Sequence, residues 1–134
     1  MKFTDTRGRE HSIDIRPSRW QRKAVGAGRG KFQSEVGDIL AELYPRDVIC
    51  EEFPCSGDNL ALDFFVPRKN IAIEVQGRQH REFVAFFHGD RTGFIRQKQR
   101  DSRKAEWCKI NSIRLVKIDT GTDREKIIKL ILDP

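Results

Sequence analysis

The 134-residue sequence has few cysteines and no long apolar run. Its three cysteines, Cys50, Cys55 and Cys108, show no Cys-x-x-Cys spacing, which argues against a disulfide framework and against a four-ligand zinc site. We expect reduced thiols, with Cys108 buried on a helix. No apolar stretch approaches the ~20 residues of a membrane span, and the polar segment from Met1 to Arg9 does not resemble a signal peptide. The sequence therefore predicts a cytoplasmic, intracellular protein without a membrane partner.

Acidic residues are too few to balance the basic ones, and the two are unevenly distributed. The net charge is +6 overall, but residues 34–77 carry nine acids against three basic residues. Residues 1–33 and 78–117 are both strongly basic. This pattern suits a protein that holds a polyanion such as DNA against an acidic centre, although many basic surfaces are only solvated. We divide the chain into a basic N-terminal arm, residues 1–33, and a folded domain, residues 34–134.

Two neighbouring segments are rich in strand-forming residues and predict a β-hairpin. They run from Asn59 to Val66 and from Ile71 to Gln76, and the segment 67–70, Pro-Arg-Lys-Asn, has the composition of a turn. If Val66 pairs with Ile71, counting places Asp63 opposite Glu74. One face of the hairpin is then wholly apolar and predicted to be core: Leu62, Phe64, Val66, Ile71, Ile73 and Val75.

The other face of the hairpin brings two like charges together. Asp63 and Glu74 would have Cβ atoms roughly 4.5–5.5 Å apart, an arrangement that destabilises a sheet. A hard divalent cation, Mg²⁺ (or Mn²⁺), would relieve that repulsion, since it takes oxygen ligands from one or two carboxylates. The alternatives are a register shifted by one residue or a nearby Arg that neutralises the pair. A one-residue slip would separate the two apolar sets, so the pattern favours a metal site.

The remaining pattern predicts a single α/β domain with a mixed central β-sheet flanked by helices. A leading helix is expected from Ser34 to Leu43, with Ser34 as N-cap and Glu35 in its first turn. The other predicted elements are strands 47–53 and 112–118, helix 94–110 and helix 123–132, the last with a capping box of Thr122 and Glu125. In the arm, a short strand 11–15, a short helix 18–25 and a basic glycine-rich loop 26–31 are expected; the loop is predicted either to contact DNA or to be disordered.

The acid pair resembles the core of a known enzyme superfamily. Asp63, ten intervening residues and then Glu74-Val75-Gln76 resemble the PD-(D/E)XK nucleases, in which an acid on one strand and an acid-x-Lys on the next hold a divalent metal. The resemblance implies a restriction-endonuclease-like fold. Here Gln76 replaces the usual Lys and can orient water or phosphate only through hydrogen bonds.

A narrower resemblance involves residues before and after the hairpin. Glu35, Asp63, the Glu-Val-Gln-Gly-Arg-Gln-His run that ends at His80, and Asp101 resemble the very-short-patch-repair-like (EDxHD) branch. That branch includes mismatch-nicking endonucleases and phage-type homing endonucleases. The similarity covers about residues 34–118. The zinc-binding residues of the repair enzymes have no counterpart among three scattered cysteines, which argues against mismatch repair.

The resemblance implies a role for each matching residue. Asp63, Glu74 and the Val75 carbonyl would bind Mg²⁺, and His80 would be the general base because its ordinary pKa of about 6.5 lies near neutrality. Glu35 and Asp101 would orient that histidine or hold water. Each has a simpler interpretation: Glu35 as a helix-dipole acid, Asp101 as an ion-pair partner on its own helix, and His80 as a surface residue. Lys104 is a weaker candidate for a phosphate contact.

These features predict a metal-dependent DNA endonuclease, of the homing or phage type, within residues 34–134. The alternatives are a catalytically inactive nuclease fold that still binds DNA, and a nuclease for branched DNA or RNA. Double-strand cleavage by so small a domain would require a homodimer or two successive nicks. Trp20, Trp107 and Phe32 could stack on bases, with core packing favoured for Trp107.

Overall fold

The structure is a computed structural model that describes residues 1–20, 30–77 and 91–133. Its elements in chain order are β1 (Lys2–Thr4), β2 (Glu10–Ser12), α1 (Lys31–Leu43), β3 (Cys50–Cys55), β4 (Leu60–Val66), a 3-10 turn (Pro67–Lys69), β5 (Ile71–Gln76), α2 (Arg91–Ile110), β6 (Arg114–Asp119) and α3 (Arg124–Leu132). Within these ranges, no helix is both long and apolar enough to cross a membrane.

Four strands form one mixed sheet in the order β3-β4-β5-β6. β4 pairs antiparallel with both β3 and β5, whereas β6 lies parallel to β5. A parallel pair needs a crossover connection, and α2 lies between these two strands in the chain. The mixed sheet and its helices confirm the predicted α/β class.

Both faces of the sheet are covered, because neighbouring residues of its central strands point into different cores. Phe64 and Ile73 belong to a cluster with α1 and α3, which we call the α1/α3 core. Phe65 and Ala72 belong to a second cluster with Trp107 of α2, which we call the α2 core. The sheet is therefore the middle layer of three.

The predicted hairpin and its register are confirmed near the turn. Val66 pairs with Ile71, Phe65 with Ala72 and Phe64 with Ile73. Asn70 closes the 3-10 turn in the left-handed conformation at φ +49°. Asparagine tolerates this conformation better than most residues. The ladder between these strands ends at Phe64 and Ile73, so the predicted backbone pairing of Asp63 with Glu74 is not formed.

The predicted apolar face is wrong at Leu62, which lies in the α2 core with Phe65. Residues three apart on a regular strand point to opposite faces. On the neighbouring strand β3, Cys50 and Phe53 are also three apart and share the α2 core. Between them, Glu52 has a φ of +53°, which interrupts the alternation of β3 at the level of Asp63. Both strands therefore change face at this point, and Asp63 lies at the change.

The predicted start of the leading helix is also wrong. α1 begins at Lys31, with Gly30 as N-cap, and its first helical hydrogen bond joins the Ser34 N–H to the Gly30 carbonyl at 3.1 Å. Ser34 is therefore a buried helical residue, and Glu35 lies beyond the first turn. Phe32 packs against the α1/α3 core, which explains why the helix extends upstream of Ser34.

Other boundaries differ for local reasons. β3 starts at Cys50 and continues through Pro54, which an edge strand tolerates because one side of it needs no ladder donors. The last helix is capped by Asp123, whose side chain accepts from the Lys126 N–H at 2.9 Å. The Thr122 hydroxyl instead donates to the Asp119 carbonyl at 2.6 Å, so the predicted capping box is wrong.

Residues 1–20 of the predicted arm are folded onto the sheet. Phe3 of β1 is buried, and its ring stacks on Trp107 with centroids 5.3 Å apart. Asn111, just after α2, binds both backbone groups of Thr4, accepting from its N–H at 2.7 Å and donating to its carbonyl at 2.9 Å. Trp20 lies 5.1 Å from the Phe53 ring. Trp107 is fully buried, as predicted.

Three sequence predictions in this region have a different outcome or remain untested. The short strand is Glu10–Ser12 rather than 11–15, and Ser18 lies in a turn. Most of the predicted helix 18–25 and of the glycine-rich loop lies outside the described residues.

Cys50, Cys55 and Cys108 are buried free thiols, and burial raises the pKa of each to about 12.

Candidate metal centre

Asp63 and Glu74 come together through their side chains, where the ladder between β4 and β5 has ended. The Val75 N–H donates to Asp63 Oδ2 at 2.8 Å, so a carboxylate replaces the backbone acceptor that a regular hairpin would supply. The two carboxyl groups are close enough for the charge of Asp63 to raise the pKa of Glu74. The predicted pair is thus present, although the backbone ladder does not extend to it.

Glu74 is a buried acid in an unfavourable setting. Burial, followed by the charge of Asp63 and the hydrogen bond with it, raises the pKa of Glu74 to about 8, although Lys104 opposes the shift. Its Oε1 atom is completely buried and has no well-formed hydrogen bond in the described part of the chain. An ionised carboxylate here exchanges its hydration for an apolar setting in which the Lys104 ammonium, 3.0 Å from Oε1, compensates only part of the loss.

Lys104 of α2 places a positive charge beside Glu74. Its Nζ lies 3.0 Å from Glu74 Oε1, and its side chain is only 20% exposed. Burial lowers the pKa of Lys104, but the attraction of Glu74, then Asp63 and Asp101, outweighs it, and the pKa is raised. A weaker sequence candidate, Lys104, therefore makes a direct side-chain contact with the acid pair.

Asp101 approaches the site through this helix. It lies one turn before Lys104 and is close enough to act on its charge. Cys108, two turns after Asp101 on the same helix, is buried in the α2 core, as predicted. α2 thus contributes one acidic and one basic side chain to the region of Glu74.

Gln76 is the last residue of β5, two positions after Glu74. It pairs with Asp119 of β6, and its carbonyl accepts from the Thr120 N–H at 2.8 Å and the Thr120 hydroxyl at 3.1 Å. These bonds fix the backbone immediately after the acid pair. Val75, whose carbonyl is the predicted third ligand, lies in this same segment.

Glu35 lies on the other side of the sheet from Lys104. It is exposed and lines a groove of about 330 Å³ between α1 and α3, together with Asp38, Glu42 and Arg124. Glu42 and Arg124 form an ion pair across this groove. His80 lies outside the described residues. The structure thus groups Asp63, Glu74, Asp101 and Lys104, while the roles of Glu35 and His80 stay predictions.

The residues present suit a hard divalent cation in part. Among the described residues, no group of three or more His, Cys, Asp or Glu side chains is arranged to hold a metal. Asp63 and Glu74 do supply two carboxylates, and Mg²⁺ is usually held by one or two, with water and substrate oxygens completing its shell. Glu74 Oε1, which has an ion pair with Lys104 but no well-formed hydrogen bond among the described residues, is the buried oxygen that would face such an ion.

The geometry defines an α/β protein with two carboxyl groups on the central strands of a mixed sheet and a lysine from the neighbouring helix beside them. The chain belongs to the family of uncharacterized protein 094L of Frog virus 3 (isolate Goorha), to which it is 37% identical over 128 residues, covering 94% of this chain and 79% of that protein.

Shorter matches join it to two proteins of invertebrate iridescent viruses. It is 34% identical over 65 residues to uncharacterized protein 033L of Invertebrate iridescent virus 3, covering 48% of this chain and 34% of that protein. It is 32% identical over 60 residues to uncharacterized protein 307L of Invertebrate iridescent virus 6, covering 45% and 30%. The matches span about a third of these two relatives. No family model and no solved structure matches the chain.

Proposed function

We propose that the protein is a metal-dependent endonuclease that hydrolyses phosphodiester bonds in DNA. The proposal rests on the buried carboxyl group of Glu74 beside Asp63. Burial and the charge of Asp63 raise the pKa of Glu74 to about 8. Strongly perturbed acids cluster at functional sites. An apolar pair at the same two positions would stabilise the sheet at least as much as Asp63 and Glu74 do, so stability does not explain the pair.

The residues of the site have distinct roles in this proposal. Asp63, held by the Val75 N–H, and Glu74 would hold Mg²⁺ or Mn²⁺ with the Val75 carbonyl. When bound, such an ion polarises the scissile phosphate and makes water a stronger nucleophile near neutral pH. Gln76 would orient water or phosphate by hydrogen bonds, and Asp101 would position Lys104 on α2.

Lys104 answers the weakness that Gln76 introduces. Gln76 carries no charge, but Lys104 already lies 3.0 Å from Glu74, with a raised pKa that keeps it protonated. A protonated amine at this position would contact a non-bridging phosphate oxygen and stabilise the negative charge that develops there. Water attacks phosphorus, the bond to the leaving oxygen breaks, and the proton of water passes to a base, for which His80 remains the candidate.

A second candidate function rests on the same ion pair. Because Lys104 already compensates part of the charge of Glu74, the site could also be stable without a metal. That would describe a nuclease fold that has lost catalysis and binds DNA only. Buried free thiols suit a reducing compartment, so either version is proposed to act in the cytoplasm. Cleavage of both strands would further require a homodimer or two nicks.

Supercoiled plasmid separates the two candidates. We expect nicking with Mg²⁺ or Mn²⁺, none with EDTA, and a loss of at least a hundredfold in Asp63→Ala. Glu106→Ala, which removes an exposed acid of α2, is the matched control and should retain full activity. Branched DNA and RNA substrates are assayed in parallel. Absence of nicking at every metal concentration would leave the DNA-binding module, and cleavage unchanged by Asp63→Ala would refute the assigned site.

A further inference from the structure

The outward surface of α2 carries an arginine stripe, which consists of Arg96, Arg100 and Arg103. These positions are spaced i, i+4 and i+7, so they lie within about 60° of one another around the helix axis and extend over about 10 Å. All three side chains are exposed. The stripe thus presents a short row of guanidinium groups to solvent.

The stripe is unfavourable for the helix itself. Arg100 has basic residues at three of its four nearest helical neighbours, Arg96, Arg103 and Lys104, and like charges at this spacing destabilise a helix. The positions three and four residues from Arg96 and Arg100 hold no acid. Exposed helices usually intersperse the two signs, so this arrangement calls for a negative partner outside the helix.

Arg103 differs from the other two members of the stripe. Its Nη2 donates to the Asp58 carbonyl at 2.9 Å, which ties α2 to the turn between β3 and β4. Arg96 and Arg100 make no hydrogen bond or ion pair with any other described residue. Their guanidinium groups are available to a ligand, whereas Arg103 has a structural task.

The stripe leads directly to the candidate metal centre. Arg100 lies one helical turn before Lys104, whose Nζ is 3.0 Å from Glu74. A nucleic acid strand whose phosphate sits at Lys104 would therefore have neighbouring phosphates near Arg100 and Arg96. The planar guanidinium group matches phosphate geometry with two parallel hydrogen bonds.

We propose that Arg96 and Arg100 bind successive backbone phosphates of duplex DNA on one side of the bond that is cleaved at the acid pair. The choice of DNA rests on the proposed function, while the phosphate contacts rest on the stripe itself. The contacts are to the backbone, so they position the duplex and are independent of its sequence.

Salt-dependent binding tests the stripe without catalysis. Fluorescence anisotropy of a labelled DNA duplex is measured in EDTA with the full chain carrying Asp63→Asn, and with Arg96→Gln and Arg100→Gln added. Each lost phosphate contact should weaken binding roughly tenfold at 0.1 M salt and reduce the slope of log K against log [salt] by about 0.9. Single-stranded DNA and duplex RNA of the same sequence are measured beside it.

The matched control removes the same charge from the other face of the sheet. Lys126→Gln with Lys129→Gln changes two exposed lysines of α3, and binding should change less than twofold. Equal losses in the two double variants would show a general charge effect and overturn the stripe, and tighter binding of duplex RNA would overturn the choice of DNA. Binding through the stripe without nicking would instead refute only the proposed catalysis.

Discussion

At the scale of single residues, Glu74 holds the most informative charge in the protein. Strand alternation from Ile73 leaves it on the α2 side of the sheet, where Lys104 of α2 lies beside it. Burial and Asp63 act in the same direction on its pKa, and Lys104 only partly opposes them. Its ionisation is therefore coupled to folding.

The pH dependence of stability should reveal this coupling. The pKa of Glu74 is raised from 4.5 to about 8 in the folded protein. The native state therefore binds this proton more tightly than the unfolded state, and stability falls as pH rises from 4.5 through 8. In EDTA, Glu74→Gln should gain stability relative to the parent over that interval, on the order of 3 kcal/mol. Urea unfolding at pH 5, 7 and 9 measures the gain.

An exposed glutamate provides the comparison for this prediction. Glu106→Gln removes a carboxyl from the exposed surface of α2 and is measured in the same way. Parallel pH profiles for Glu74→Gln and the parent would contradict the raised pKa of Glu74.

At the scale of elements, β1 and β2 pair antiparallel as an N-terminal hairpin, and the turn between β3 and β4 joins this hairpin to the sheet. Asp58 accepts from the Thr6 N–H at 3.0 Å and from its hydroxyl. Asp5 is buried below it and accepts from His11 at 2.8 Å, and this bond, with those from the Arg9 and Arg7 N–H groups, lowers the pKa of Asp5 to about 2. Gly57 lies where these groups meet.

Gly57→Ala should be strongly destabilising. Gly57 has a φ of +91°, and a Cβ there would lie 2.2 Å from Asp5 Oδ2 and 2.6 Å from His11 Nε2. Gly121 has the same φ of +91° with nothing within 4 Å of a Cβ, so Gly121→Ala measures the backbone strain alone. We expect about 1 kcal/mol for Gly121→Ala and at least 2 kcal/mol more for Gly57→Ala by urea unfolding. Equal losses would mean that the hairpin is not packed against this turn.

Elements could be predicted from the sequence where the signal is local, and not where it depends on packing. The hairpin of β4 and β5, its turn and its register near Val66 follow from strand propensity and turn composition. The change of face at Leu62 requires the positive φ of Glu52 on a neighbouring strand, which no pattern within β4 encodes. The contact of Lys104 with Glu74 likewise depends on how α2 crosses the sheet. From the sequence alone, Lys104 is therefore a weaker candidate than the residues that match a family motif.

At the scale of the whole molecule, the N-terminal hairpin supports the helix that carries Lys104. Phe3 contacts Phe53 and Phe65 on the sheet and Trp107 on α2, with ring centroids 5.3–5.9 Å apart. Trp107 lies one turn after Lys104 on the same helix. The α2 core therefore joins sheet, helix and hairpin, and we expect all three to unfold together.

Phe3→Ala tests whether the hairpin is part of the same cooperative unit. Removing this buried ring should cost about 3–5 kcal/mol of unfolding free energy, while Met1→Ala, at a residue that is 50% exposed, should cost less than 1 kcal/mol. Because Phe3 stacks on Trp107, tryptophan fluorescence and far-ultraviolet circular dichroism should report one shared transition in urea. Two separate transitions in the parent, or a loss below 1 kcal/mol in Phe3→Ala, would show that residues 1–20 fold independently of the helix that positions Lys104.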